Sequence, residues 1–278
     1  MNNIDSASVE GFGEEWSKFS YENSGNPEQD LIFSDYFGQF PLKSARKNMV
    51  CLDIGCGTGR WSALAAKFFP SIHLLDASEK ALGVARSNME KLGHGHFSFI
   101  HCPLHEFHTD TQYDAAWSLG VLHHLPDTQL ALNKVASLLK PGAPFLVYLY
   151  YRFDNRPWWF RCIWSVTDMV RCVISRLPFV VRHRICDLIA ILVYWPLARM
   201  SWLLEKGSCS VSWIPLSYYR DKSFYVIRTD SLDRFGTRLE SRFTKSEITH
   251  MLTSAGFEKI SFSPKEPFWT AVCYRGKV

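Results

Sequence analysis

The stretch CLDIGCGTGRW, residues 51–61, limits most sharply what this chain can fold into. An apolar run, expected as a buried strand over 49–54, enters glycines at 55, 57 and 59, and a helix is expected from Arg60. A strand, a glycine-rich turn and a helix start together turn bare backbone N–H groups and the positive end of a helix dipole toward a ligand. The alternation continues downstream. Further strands are expected at 72–78, 96–102, 113–120 and 143–151, and helices at 60–69, 78–93 and 127–139. Ser78 is placed to cap the second helix and Gly93 to stop it. Near-continuously apolar strands alternating with helices predict a parallel sheet covered on both faces. After residue 240 a helix at 244–257 opens on Thr244 and Glu247, a capping box. Strands at 258–264 and 268–275 then follow with too few residues between them for a helix, so this pair is expected antiparallel.

Two ligand classes use such a turn. Dinucleotide sites favour G-x-G-x-x-G/A, whose third small residue lets helix and strand pack closely. Here that position is Arg60, and Asp53 sets a negative charge where a pyrophosphate would lie. For a ligand carrying an α-ammonium group the same carboxylate is an asset, because it can accept a charge-assisted bond directly or through water. Asp76, 21 positions after Gly55 at the end of the second strand, can take both hydroxyls of a ribose in either class.

LDIGCGTG, Asp76 and SLGVLHHLPD (118–127) resemble the class I S-adenosylmethionine-dependent methyltransferases, and among them the bacterial subgroup acting on small molecules, quinones, lipids and sugars. The resemblance implies an α/β, Rossmann-like sheet with an antiparallel C-terminal strand pair. It further implies that Gly55, Cys56, Gly57, Thr58 and Gly59 border the methionine moiety, that Asp53 holds its amino group, and that Asp76 and Ala77 bind the ribose. Cys102, Pro103 and Leu104 would flank the adenine by packing and backbone contacts, since HCPLHEF lacks the acidic residue common there, while Ser118, Leu119 and Gly120 would line the sulfonium side.

Methyl transfer is an in-line displacement on an already activated donor. The protein has to align the nucleophile, exclude water and, for a hydroxyl, accept a proton. His123 and His124, just past the fourth strand, are the candidate catalytic bases. Tyr150, Tyr151, Tyr218 and Tyr219 are candidate substrate contacts, and Tyr148, deeper in its strand, is expected in the core. No metal site is expected, for the eight cysteines form no C-x-x-C pair and no zinc-spaced His/Cys cluster.

Residues 1–45 are expected as an N-terminal lid, 46–151 and 240–278 as the cofactor domain, and 152–239 as a helical insertion capping the substrate. Within 152–204 eight Arg stand against three Asp with no Lys or Glu, a net of +5 in a chain of +4. In 157–177 the polar residues at 161, 165, 168, 171 and 175 form one narrow stripe, only Thr167 and Arg176 fall off it, and the rest of the helix is apolar. The uncharged run 188–198 gives about 16 Å as helix, against about 30 Å of hydrocarbon, and Pro196 is expected to interrupt it, so no membrane span is expected. An internal cap, a membrane-surface contact and a homodimer interface remain open for this block.

The expected activity is methylation of an oxygen or carbon on a small, partly apolar acceptor such as a lipid, a quinone or a lipid-linked sugar. S-adenosyl-L-methionine is the expected cofactor and no nucleic-acid partner is expected. The rivals are a non-enzymatic scaffold of the same fold and an NAD-dependent oxidoreductase. Free cysteines and a polar, acidic N-terminus without signal-peptide character point to the cytoplasm, with a peripheral place at the inner membrane face left open.

Overall fold

The computed structural model describes residues 3–20, 26–44, 46 and 48–277; residues 1, 2, 21–25 and 45 of the expected lid lie outside this set. The chain forms two compact units, Met1–Arg152 with Leu239–Val278, and Phe153–Arg238.

In the first unit the strands are β1 (Val50–Ile54), β2 (Ser71–Asp76), β3 (His96–His101), β4 (Ala115–Leu119), β5 (Pro144–Tyr148), β6 (Phe257–Phe262) and β7 (Thr270–Arg275). They make one seven-stranded sheet in the order β3-β2-β1-β4-β5-β7-β6. β1 to β5 run parallel, and β7 enters antiparallel beside β5 with β6 antiparallel beyond it, as the short final connection required.

The helices are α1 (Ser6–Lys18), α2 (Pro27–Phe37), α3 (Arg60–Ala65), α4 (Glu79–Leu92), α5 (Thr128–Leu138) and, after the insertion, α10 (Lys245–Ser254). Successive side chains of a strand face opposite sides, so Leu52 and Ile54 join the core under α5 and α10 while Cys51 joins the core under α2, α3 and α4. Local signals set the helix ends. Ser78 caps α4 through Ala81 N–H, left-handed Gly93 stops it, and both bonds of the Thr244–Glu247 box are made. α3 ends at Ala65, four residues before the expected end, and the chain continues through turns.

The first 45 residues do more than precede the sheet. Phe33, Phe37 and Phe40 are buried in the core of the α2–α4 face. There Phe37 meets Trp117 of β4 edge to face at 5.7 Å. Those rings supply apolar area that the short α3 cannot.

The second unit holds α6 (Trp158–Ile174), α7 (Phe179–Ile189), a π turn (Ala190–Tyr194), α8 (Trp195–Lys206) and α9 (Phe224–Gly236). α7, the π turn and α8 form one continuous helix, Phe179–Lys206, long and apolar enough by length and composition to cross a membrane. Pro196 therefore does not interrupt it. The proline sits in the first turn of α8, and the wider π turn just before it relaxes the hydrogen-bond ladder where Pro196 has no N–H to give.

Candidate functional site

The turn after β1 adopts a backbone that only glycine enters without strain: Gly55, Gly57 and Gly59 all have positive φ, between 55° and 74°. Space tightens all three positions as well, a Cβ on Gly59 meeting Met89 Cε at 3.0 Å. A Cβ on Gly55 would lie 2.4 Å from Val121 Cγ1, and one on Gly57 would lie 3.2 Å from the Trp16 indole nitrogen. Gly59 is the N-cap of α3. Cys56 and Thr58, between the glycines, are buried, and the Cys56 Sγ belongs to the core, where burial pushes its thiol well above the ordinary range. That thiol is chemically quiet.

Asp76 stands at the rim. One carboxylate oxygen accepts Gly57 N–H at 2.9 Å and the other accepts Ser78 N–H at 2.8 Å. Burial raises its pKa, and these two donors oppose the shift. Both oxygens keep lone pairs for further donors. Ala77 and the loop after β3 adjoin it, because His101 Nε2 donates to the Ala77 carbonyl at 3.1 Å and Cys102 N–H donates to the Asp76 carbonyl at 3.1 Å. Cys102, Pro103 and Leu104 are half-buried there.

Asp53 lies deeper, beneath the turn, 1% exposed, and accepts the Ser62 hydroxyl at 2.7 Å. Burial pushes its carboxyl up to about 7, with the Ser62 bond opposing and the nearby Asp76 charge adding to the shift. Ser118 is fully buried, donating its hydroxyl to the Ile54 carbonyl at 3.0 Å, which ties β4 to β1. Leu119 and left-handed Gly120 end β4 half-buried at the same sheet edge.

α1 lies across this edge. Trp16 covers Gly57, Gly13 abuts Ser78, Arg60 lies 5.7 Å from the Trp16 ring, and Phe12 stands 4.9 Å from the His124 ring. Asn3 and Asp127 pin its start by two reciprocal 2.8 Å hydrogen bonds.

His123 and His124 occupy a single 3-10 turn, with ring centroids 4.0 Å apart. The His124 Nδ1–H donates to the Leu239 carbonyl at 2.7 Å, which fixes the tautomer and leaves the lone pair on Nε2. His123 is fully buried, with neither ring nitrogen bonded among the described residues, and packs 3.9 Å from the Tyr150 ring. Burial, then His124 and Arg242, hold its pKa well below the usual range, so its imidazole is neutral at physiological pH.

Tyr148 and Tyr150 share a face, as strand alternation expected, 5.6 Å apart. Tyr148 is not core, however. It ends β5 half-buried with its ring 5.3 Å from Tyr36, while Leu149 takes the buried position. Tyr151 points the other way, onto Phe268 and Trp269 at 5.8 and 6.4 Å, and so is not beside the histidines. Tyr218 and Tyr219 belong to the second unit and pack on each other at 5.3 Å, with Tyr219 also 5.5 Å from Tyr194. Burial and Asp230, which accepts its hydroxyl, raise the Tyr219 pKa.

Sequence reasoning missed four neighbours: Phe12, Trp16, Tyr36 and Arg242. Arg242 is buried against the Tyr150 ring at 5.1 Å and pairs with Glu240 at 2.7 Å. Burial opposes its charge, and Glu240 more than restores it. Among the described residues no group of His, Cys, Asp or Glu is disposed to hold a metal ion.

Residues 45–160 match a family model described as a methyltransferase domain. An uncharacterized methyltransferase of Mycobacterium bovis is 27% identical over 129 residues, 44% of this chain and 58% of that protein. A ubiquinone biosynthesis O-methyltransferase of an Azoarcus species is 32% identical over 92 residues, 33% of this chain and 40% of that protein. The chain thus spans little more than half the length of the first relative and less than half of the second. Among solved structures, magnesium protoporphyrin IX methyltransferase of Synechocystis PCC 6803, with bound S-adenosylhomocysteine, has a TM-score of 0.53 at 15% identity, covering 97% of this chain and 96% of that one. Human N-acetylserotonin methyltransferase, in complex with S-adenosylmethionine, has a TM-score of 0.54 at 14% identity, covering 99% and 61%. At these identities the structural likeness is one of fold.

The strand order, the final antiparallel pair and the glycine turn define a Rossmann-like methyltransferase fold. Residues 45–160 are thus similar to a methyltransferase domain, set in the fold that the solved methyltransferases share.

Proposed function

We propose that this chain transfers a methyl group from S-adenosylmethionine to an oxygen or carbon of a small, partly apolar acceptor. The observation that carries the reading is the rim itself: three left-handed glycines beside an Asp76 whose two oxygens are held by Gly57 and Ser78 N–H. The residues present fit the cofactor. Asp76 would take the ribose hydroxyls, and Cys102 to Leu104 would flank the base. The glycine backbone would border the amino-acid end, with Asp53 the carboxylate below it. When bound, the cofactor supplies a methyl group on a positively charged sulfur, which leaves as a neutral thioether.

The remaining work falls to the protein. α1 covers the cradle through Trp16 and Phe12 and acts as a lid that excludes water. The Tyr36–Tyr148–Tyr150 rings form an aromatic wall suited to a flat or greasy acceptor. The His123–His124 pair accepts the proton lost by an acceptor hydroxyl as its oxygen bonds to the methyl carbon. Arg242, fixed by Glu240, opposes development of a second positive charge on His123 and so favours His124 Nε2 as the proton's destination. The ubiquinone-pathway relatives support an oxygen acceptor on an apolar molecule.

The test is incubation of the purified chain with S-adenosylmethionine carrying an isotopic methyl label and a panel of quinols, lipids and lipid-linked sugars. Label appearing in an organic-extractable product supports the reading. Tight cofactor binding with no transfer to any class would favour a scaffold of the same fold.

A further inference from the structure

In the second unit α9 buries Val226, Ile227, Leu232 and Phe235 in the ordinary way, whereas α6 and the α7–α8 helix leave apolar faces exposed. A helix of a water-soluble bundle buries its apolar stripe and exposes its charges. In α6 the reverse holds: Arg171 is buried while Val166, Met169 and Val173 stand exposed one turn apart. The long helix repeats the inversion. His183, Cys186, Ala190, Ala198 and Ser201, all small or polar, are buried, whereas Leu188, Leu192 and Leu203 are more than half exposed.

The ion pairs of Asp168 and Asp187 lie on the inner side. Arg171 bonds Asp168 at 2.7 Å and the Thr237 and Arg238 carbonyls at 2.9 and 3.1 Å. Asp187 receives both arms of Arg228 at 2.8 and 2.9 Å, with His183 at 3.3 Å. Arg199 donates to the Arg220 and Lys222 carbonyls. Ordinary soluble monomers keep contiguous apolar patches to a few hundred Å². An apolar exterior around internally satisfied polar groups is the arrangement that lipid demands.

From this the structure assigns an occupant to the apolar faces of α6 and the α7–α8 helix: the surface of a lipid bilayer bearing anionic headgroups, with the helices lying in its plane. Charge selects that occupant. Of the acidic residues in α6 and the α7–α8 helix, Asp168 and Asp187 turn inward to arginines and Glu205 is paired with Arg220, while Arg161, Arg176, Arg184 and Lys206 are exposed, which leaves the surface positive. They meet anionic headgroups favourably. In a two-fold pairing of copies the same patch meets itself, and these arginines would face like charges. Sidedness decides the orientation. The helix Phe179–Lys206 is long enough to span, but only one side of it is exposed and apolar, with His183, Cys186, Ala190, Ala198 and Ser201 buried along the other, which suits an in-plane helix.

The test is co-sedimentation of the full chain with vesicles of phosphatidylcholine alone and of phosphatidylcholine with phosphatidylglycerol, at physiological salt. It needs no cofactor, so it stands or falls apart from the methyltransferase reading. The expected result is binding to the mixed vesicles, at least tenfold weaker in the exposed-face variant Val166→Glu/Met169→Glu/Leu192→Glu. Circular dichroism melts within a few degrees of the parent would show that this variant folds. Arg161→Glu/Arg184→Glu is expected to lose the preference for anionic vesicles. A chain that stays in the supernatant with both vesicle types, or a triple variant that binds like the parent, overturns the proposal. A concentration-dependent dimer that the triple variant abolishes, without vesicle binding, assigns the face to a second copy instead.

Discussion

Val121, in the turn after β4, closes over Gly55, in the turn after β1, leaving no room for a methyl group between them. The cradle is thus made by two turns at once, and each limits what the other may carry. Gly55→Ala combines a 2.4 Å clash with a φ of 70° that side chains disfavour. The expected outcome is a loss of S-adenosylhomocysteine affinity of at least tenfold by calorimetry. Val121→Ala in the same protein should recover part of it, because the steric component is relieved and the backbone strain is not.

Asp53 is expected to make cofactor affinity depend on pH. Its carboxyl titrates at about 7 in the free protein, and a nearby ammonium group favours the carboxylate. Affinity should therefore rise as pH climbs toward 7 and level off above it, whereas Asp53→Asn should bind weakly with a flatter profile. Stability runs the other way. The folded value lies above the ordinary 3.8, so the contribution of the neutral carboxyl is complete below about 3.8 and lost as pH rises through about 7. Asp53→Asn should thus narrow the difference between melting temperatures at pH 5 and pH 8 in the cofactor-free protein.

The histidine pair is expected to separate by role. His124→Gln keeps a donor to the Leu239 carbonyl but offers no base, and should lower kcat for a hydroxyl acceptor by about 10² or more with cofactor affinity unchanged. His123→Gln should cost less in kcat than His124→Gln. Equal losses in both variants would mean that the pair acts as one unit.

Phe37 is the stability test for the N-terminal segment. It is 1% exposed, stacked on Phe33 at 4.2 Å and edge-on to Trp117. Phe37→Ala should destabilise the fold by about 3–5 kcal/mol in urea titration. A loss under about 1 kcal/mol would show that α2 is dispensable to the core.

Much of the first unit was legible because its signals are local. Ser78, Gly93 and the Thr244–Glu247 box act within four residues of themselves, and the glycine turn with Asp76 lies on adjacent strands of a common fold. Contacts distant in sequence were not legible: Phe37 against Trp117, Trp16 over Gly57, Arg242 against Tyr150. Strand alternation paired Tyr148 with Tyr150 correctly but could not say that Leu149, on the other face, is the buried one. Pro196 misled because a proline forbids only its own hydrogen bond, and the π turn removes the need for it. In α6 the polar stripe was read correctly, yet periodicity tells which faces differ and not which medium each one meets.

Titration calorimetry of the full chain with S-adenosylhomocysteine, beside Asp76→Ala and beside NADH, is the measurement that decides the cofactor. One molecule bound per chain, lost by at least tenfold in Asp76→Ala and with no NADH heat, is the expected result. NADH binding without S-adenosylhomocysteine binding would contradict it.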